Sequence, residues 1–192
     1  MIGNDIVDLN VAFVQSNWRR KRFLSKVFTE YEQQLIKSSA NPDKTVWLLW
    51  SMKESAYKIN VQQYQDVFFS PRKLQCKILS KTKGLVMIKD EMYLTESQIN
   101  NDFICTIASL KKDVKKLNEA FELDDDSYAI QHKQSSVKLM VAVSKKWDLP
   151  LKDVRIKKNK IGIPKLFLNT KELPISFSIT HHGSYGAYSI VC

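Results

Sequence analysis

Three short segments far apart in the chain carry the residues most suited to chemistry. They are Gly3-Asn4-Asp5-Ile6-Val7-Asp8, Trp50-Ser51-Met52-Lys53-Glu54-Ser55-Ala56-Tyr57-Lys58 and Ser178-Ile179-Thr180-His181-His182. Between them they offer carboxylates for a divalent metal, lysines for phosphate, and a polar loop. A metal combined with phosphate-binding cations is the equipment of phosphoryl or phosphodiester transfer. Paired carboxylates such as Asp5 and Glu54, completed by phosphate oxygens and water, suit Mg²⁺. No Cys or His spacing supports zinc. Each residue taken alone has an ordinary reading. Glu54 and Lys58 form an i,i+4 surface pair worth about 0.3–0.5 kcal/mol, Asp5 is a strand-end acid, and His181 is a hydrogen-bonded structural histidine. The joint pattern favours function.

These residues need elements to position them. Residues 2–9 alternate weakly and read as an opening strand. A basic stretch over 12–26 reads as helical, with Arg19, Arg22 and Lys26 at helical spacing. Thr29 followed by Glu32 forms a capping box ahead of a short helix. Asn41-Pro42 starts a longer helix that runs to about Asn60. Leu48, Met52, Ser55 or Ala56, and Ile59 form its buried stripe, while Trp47, Trp50 or Ser51, Glu54 and Lys58 follow a second face. A charge on a helix sheltered on most sides is costly unless paired or metal-bound.

Further strands are expected at 67–80 (interrupted at Ser70-Pro71-Arg72), 84–95 and 103–110. Asp124-Asp125-Asp126 reads as a loop. Residues 133–147 have helical spacing, and Pro150 ends that segment. A hairpin follows over 153–168. Ile175, Phe177 and Ile179 then alternate with Ser176, Ser178 and Thr180, giving one apolar face and one hydroxyl face. The strand leads into a His181-His182-Gly183-Ser184 loop and a last strand at 187–191. There is no strong internal repeat. The succession predicts an α+β fold, mostly antiparallel sheet packed by helices.

The 192 residues are 44% hydrophobic and 26% charged, which excludes a disordered chain. No apolar run approaches a membrane span. An acid near the N-terminus stands where a signal peptide would be basic, so the expected location is cytoplasmic. Three cysteines without ligand spacing point to reduced thiols. The net charge of +10 favours an anionic partner: nucleic acid, a nucleotide cofactor or an acidic protein surface. No zinc finger, helix-turn-helix signature or RNP-like aromatic motif supports nucleic acid.

The same segments resemble the 4'-phosphopantetheinyl transferases, most like the small holo-acyl-carrier-protein synthase type. Residues 3–8 are similar to that family's G-x-D-[I/V]-V-[E/D] opening. Arg22-Phe23 with Val27-Phe28-Thr29 is similar to the segment that follows it. Residues 50–58 are similar to its [W/F]-[S/A]-x-K-E-[A/S]-x-x-K helix, and Ser178-Ile179-Thr180-His181 to its late S-I-S-H loop. The resemblance covers residues 2–60 and 153–191.

It implies that the 4'-phosphopantetheine arm of coenzyme A passes to a serine of an apo acyl or peptidyl carrier protein, releasing 3',5'-ADP. Asp5 and Glu54 become Mg²⁺ ligands, with Glu54 activating the serine directly or through water. Lys58 holds pyrophosphate, and Lys53 binds phosphate or carrier. Ser178 and His181 contact coenzyme A phosphates. Arg19, Arg22 and Lys26 become candidates for carrier contact.

Val7 stands where the larger, two-lobed branch carries a third acid, which points to the smaller type. Asp8 is not assigned as a ligand, and His182 has no task. The expected organisation is one domain over 1–192 with an enlarged middle, 62–150, that is an extension or a second lobe. The expected state is a monomer or small homo-oligomer. The competing readings are a noncatalytic basic carrier-binding protein and a nucleic-acid-binding module.

Overall fold

The computed structural model describes residues 1–192 apart from Phe69 and Asp126. The expected strand start at 67–69 and the expected loop at 124–126 therefore lie partly outside the described residues. Asp5 sits in the first strand, β1 (Ile2–Asp8), whose seven residues are all buried. Three short helices follow: α1 (Leu9–Gln15), α2 (Phe23–Val27) and α3 (Glu30–Ser38). The expected helix over 12–26 is thus broken. Ser16 ends α1 in extended backbone, and Asn17 uses its side-chain oxygen to accept from the Arg19 N–H at 3.1 Å. Such local side chain–backbone bonds compete with helix continuation.

The next two elements follow the sequence closely. The Thr29 hydroxyl accepts from the Glu32 N–H while the Glu32 carboxylate accepts from the Thr29 N–H, closing the predicted capping box on α3. Helix α4 (Pro42–Tyr64) starts where expected, with the Asn41 side chain accepting from the Lys44 N–H at 3.0 Å and proline in the first turn. It continues one turn past the expected end, to a left-handed Gln65.

Strands β2 (Leu74–Ile78), β3 (Lys83–Ile88), β4 (Glu91–Ile99) and β5 (Phe103–Ser109) complete an antiparallel sheet in the order β1-β5-β4-β3-β2. The expected strand over 84–95 is in fact a hairpin, turned at Lys89-Asp90 with Lys89 at φ 55°. After β6 (Lys116–Glu122) comes α5 (Tyr128–Trp147), then β7 (Val154–Lys158), β8 (Pro164–Leu168), β9 (Lys171–Glu172), β10 (Phe177–His182) and β11 (Tyr185–Val191). These strands form two sheets, β10-β11-β6 and β7-β8-β9. In each half of the chain the first strand pairs with the last and the last with the one before it: β1-β5-β4, then β6-β11-β10. Residues 62–150 are accordingly spread over both halves, finishing the first sheet and opening the second.

The fold is α+β, with antiparallel sheets packed by helices. One core lies between α4 and the five-stranded sheet, around Phe28, Leu49, Met52, Ile59, Tyr93 and Ile104. A second lies under α5, around Leu139, Val143, Leu166, Phe177 and Ile190. Ile6, Phe103, Cys105 and Ala187 join the halves. No helix among the described residues is long and apolar enough to cross a membrane.

Candidate active site

Strand β1 pairs with β5 along one edge, and its other edge faces β10. Side chains, not a backbone ladder, close that second edge. The Asn4 N–H donates to Ser178 Oγ and the Asp8 N–H to His182 Nδ1, both at 3.0 Å. Both partners lie 174 residues on, so the strands run in the same direction. Between them the Thr180 hydroxyl donates to Asp5 Oδ1 at 3.4 Å. The hydroxyl face of β10 is therefore turned towards β1. His181 and His182 end the strand instead of starting a loop, and the turn falls at Gly183-Ser184.

That turn is latched. The Asp8 carboxylate caps α1 through the Asn10 and Val11 N–H groups and also accepts from the Ser184 N–H at 2.9 Å. Gly183 has φ +58°, and a Cβ there would lie 2.4 Å from Asp8 Oδ2. Asp8 is thus structural, and His182 has acquired a task.

The Asp5 side chain is turned towards α4. Lys58 Nζ lies 3.6 Å from Asp5 Oδ1 and donates to the Asn4 carbonyl at 2.6 Å. Ser51 Oγ donates to the Asp5 carbonyl at 3.3 Å. Burial raises the Asp5 pKa above the usual carboxylate range, with Lys58 opposing the shift. Burial, and then the charge of Asp5, push Glu54 up to about 7. The early strand acid and the distant helical acid therefore share one electrostatic site. Asp5 Oδ2 is buried without a partner, and the Glu54 side chain makes no hydrogen bond among the described residues.

This donor set fits a hard cation. It is all oxygen, it is carboxylate-rich, and one of its oxygens, Asp5 Oδ2, is buried with no partner. No group of three or more His, Cys, Asp or Glu side chains that could hold a metal occurs among the described residues. Val7, where a third acid would stand, is buried in the apolar core. Two carboxylates would leave the remaining positions of a bound Mg²⁺ to phosphate oxygens and water, which is the habit of that ion.

Gly3 makes this approach possible. A Cβ at Gly3 would lie 2.0 Å from the Ser55 carbonyl oxygen of α4. Gly3→Ala should force α4 away from β1 and cost at least about 1–3 kcal/mol, read as a lowered denaturation midpoint together with weakened divalent-cation binding.

Three clefts lie at Asp5, at Lys58 and at His181. One, of 340 Å³, is lined by Asp5, Val7, Phe23, Trp47, Trp50 and His182. A second, of 280 Å³, opens at Lys58 between Tyr57, Val61, Ile163 and Phe177. The largest, of 920 Å³, lies in the second half of the molecule and carries His132, Lys133, Arg155 and Lys158. His181 borders both the first and the largest. Its Nδ1–H donates to Gln131 Oε1 at 2.9 Å, while Gln131 Nε2 donates to the Gly183 carbonyl at 2.8 Å. Tyr128 and His132 both meet the His181 ring edge-on, at 5.0 and 6.2 Å between centroids. Burial first, then the charge of His132, lowers the His181 pKa.

Tyr128, Gln131 and His132 were missed because the helical reading began at residue 133, whereas α5 begins at Tyr128. Their spacing, on one face of the first turn, was the available signal.

Other expected site residues lie elsewhere. Lys53 does not face the clefts. It is 1% exposed, and its ammonium donates to both Glu32 carboxylate oxygens and to the Pro71 and Leu74 carbonyls. Full engagement inside the core leaves it nothing to offer a phosphate. Arg19, Arg22 and Lys26 do not share a helical face. Arg19 forms a two-pronged pair with Asp43 and stacks over Trp18. Arg22 caps α2 in a left-handed conformation, and Lys26 lies in that helix's last turn.

Residues 1–108 match the sequence profile of the 4'-phosphopantetheinyl transferase superfamily. The match spans more than half of the chain, and the protein belongs to that superfamily. Membership in a transferase superfamily is consistent with phosphopantetheinyl-transfer-like activity in general. Among solved structures, the chain is similar to the Thermotoga maritima holo-[acyl-carrier-protein] synthase (AcpS), at 11% identity and a TM-score of 0.45, over 85% of this chain and 80% of that one. No curated protein matches the chain.

Proposed function

We propose that the protein moves the 4'-phosphopantetheine arm of coenzyme A onto a serine hydroxyl of an apo acyl or peptidyl carrier protein. The observation that carries this reading is the meeting of Asp5, Glu54 and Lys58 around a buried, unpartnered carboxylate oxygen.

The serine oxygen forms a new bond to the pantetheine-bearing phosphorus. The bond from that phosphorus to the bridging oxygen breaks, and 3',5'-ADP leaves with the electron pair. A neutral serine is a weak nucleophile until a base removes its proton. Glu54 accepts it, with a bridging water as carrier. Lys58, steadied by the Asn4 carbonyl, offsets charge on the departing phosphate. Asp5 and Glu54 would hold Mg²⁺, which when bound neutralises charge on the pyrophosphate oxygens.

His181 borders the basic groove where coenzyme A phosphates would lie. Ser178, whose oxygen accepts from Asn4, retains its own proton to donate. Arg22 and Lys26, both exposed, are available to an acidic carrier surface, whereas Arg19 would first have to leave Asp43.

Mass spectrometry of folded apo carriers after incubation with coenzyme A and Mg²⁺ tests this. The expected result is a gain of one phosphopantetheine arm per carrier. Lys58→Met should slow that gain by about 10²–10³. No gain on any of several folded carriers, alongside ordinary carrier binding, would favour the noncatalytic reading.

A further inference from the structure

The clefts on the two sides of His181 differ in chemistry. The 920 Å³ groove gathers Lys133, Arg155 and Lys158 with the His132 imidazole. The 340 Å³ pocket has no lysine or arginine in its wall. Trp47 and Trp50 from α4, Phe23 from α2 and Val7 from β1 give it an aromatic and aliphatic lining. Its polar groups are few. Asp5 puts a carboxylate in the wall and Ser16 a hydroxyl. His182 accepts the Asp8 N–H at Nδ1, so its proton sits on Nε2 as a donor.

Coenzyme A is two-ended in the same sense. The nucleotide end is anionic and carries a phosphomonoester. The pantetheine arm is uncharged, with two amides, a gem-dimethyl group and methylenes. Apart from Asp5, which would hold the ion beside the pyrophosphate, the wall has no lysine or arginine to bind a further phosphate or an acidic protein segment. The pocket accepts a neutral chain whose methyl groups lie on aromatic faces and whose amide carbonyl meets an imidazole N–H. A volume of 340 Å³ falls within the usual range for small-molecule pockets. Trp50 lies on α4 one turn before Glu54, on the same side of the helix, and lines the pocket together with Asp5.

We infer that this aromatic pocket binds the pantetheine arm, that Trp50 is its principal contact, and that the nucleotide extends to the opposite side of His181 into the basic groove. The inference rests on the coenzyme A reading proposed above.

Calorimetry with coenzyme A and with 3',5'-ADP separates the two claims. Trp50→Leu should weaken coenzyme A by about tenfold or more, leave 3',5'-ADP within about twofold, and raise KM for coenzyme A with little change in kcat. Trp50→Phe should recover most of the loss. In the unsubstituted protein, coenzyme A should change tryptophan fluorescence more than 3',5'-ADP does, a readout that needs no variant. Equal weakening of both ligands, no weakening of either, equal fluorescence responses, or a rise confined to KM for the carrier would each overturn the pocket assignment. If the unsubstituted protein binds neither ligand, the coenzyme A reading falls and takes this inference with it.

Discussion

Lys53→Met should destabilise the protein by about 3–5 kcal/mol, the usual cost of removing one partner of a buried ion pair. Lys53 is 1% exposed and Glu32 0%, and the ammonium lies 2.9 and 2.8 Å from the two carboxylate oxygens. Glu32 also accepts the Thr29 N–H and the Cys76 N–H, so a single carboxylate ties α3 to α4 and β2. Without Lys53, that carboxylate would remain buried with two backbone donors and no countercharge. Glu32→Leu should be as damaging, because it strands an ammonium. Combining the two substitutions should cost less than the sum, since no unpaired charge remains. Denaturant midpoints of the singles and the double measure this directly. Folded Lys53→Met, recovered at low temperature, should still bind coenzyme A at close to the unsubstituted affinity. Unchanged stability with lost coenzyme A binding would instead return Lys53 to the phosphate site.

This pair also marks how far local pattern carries. The capping box at Thr29 and Glu32 and the Asn41-Pro42 start of α4 were readable because their bonds close within a few residues. The placement of Asp5 on a strand and Glu54 on a helix was readable from periodicity. The direction of Lys53 was not. Helix α4 is buried on most sides, so its spacing does not say which partner waits beyond each face, and Glu32 lies 21 residues back. The hydroxyl face of β10 was visible in the alternation, but its target, the free edge of β1, lies 174 residues away. The repeated strand order is likewise a property of pairing partners, not of any local run. The basic helix failed for a smaller reason: Ser16 and Asn17 break it between Phe13 and Trp18, which periodicity alone passes over.

Glu54→Gln should make the metal-free protein more stable at pH 8 while slowing transfer by about 10³ or more, opposite signs from one substitution. The folded pKa of about 7 exceeds the ordinary 4.5, because burial and Asp5 disfavour the charge. The protonated carboxyl therefore contributes stability that is fully present below pH 4.5 and is lost as pH rises through about 7. At pH 8 the ionised group costs roughly 2 kcal/mol, allowing for its partial exposure. Gln removes that cost together with the charge. The same strain is what a divalent cation would relieve. Mg²⁺ should thus stabilise the unsubstituted protein more than the Gln variant. Its binding should also weaken as pH falls below 7, with about one proton released per ion at pH 6 and almost none at pH 8. Calorimetry in buffers of different ionisation enthalpy counts those protons. Equal Mg²⁺ affinity at both pH values would show that Glu54 does not hold the ion, and a Gln variant that still modifies its carrier would show that Glu54 does not move the proton. The stability gain would then report nothing more than a carboxylate buried beside another.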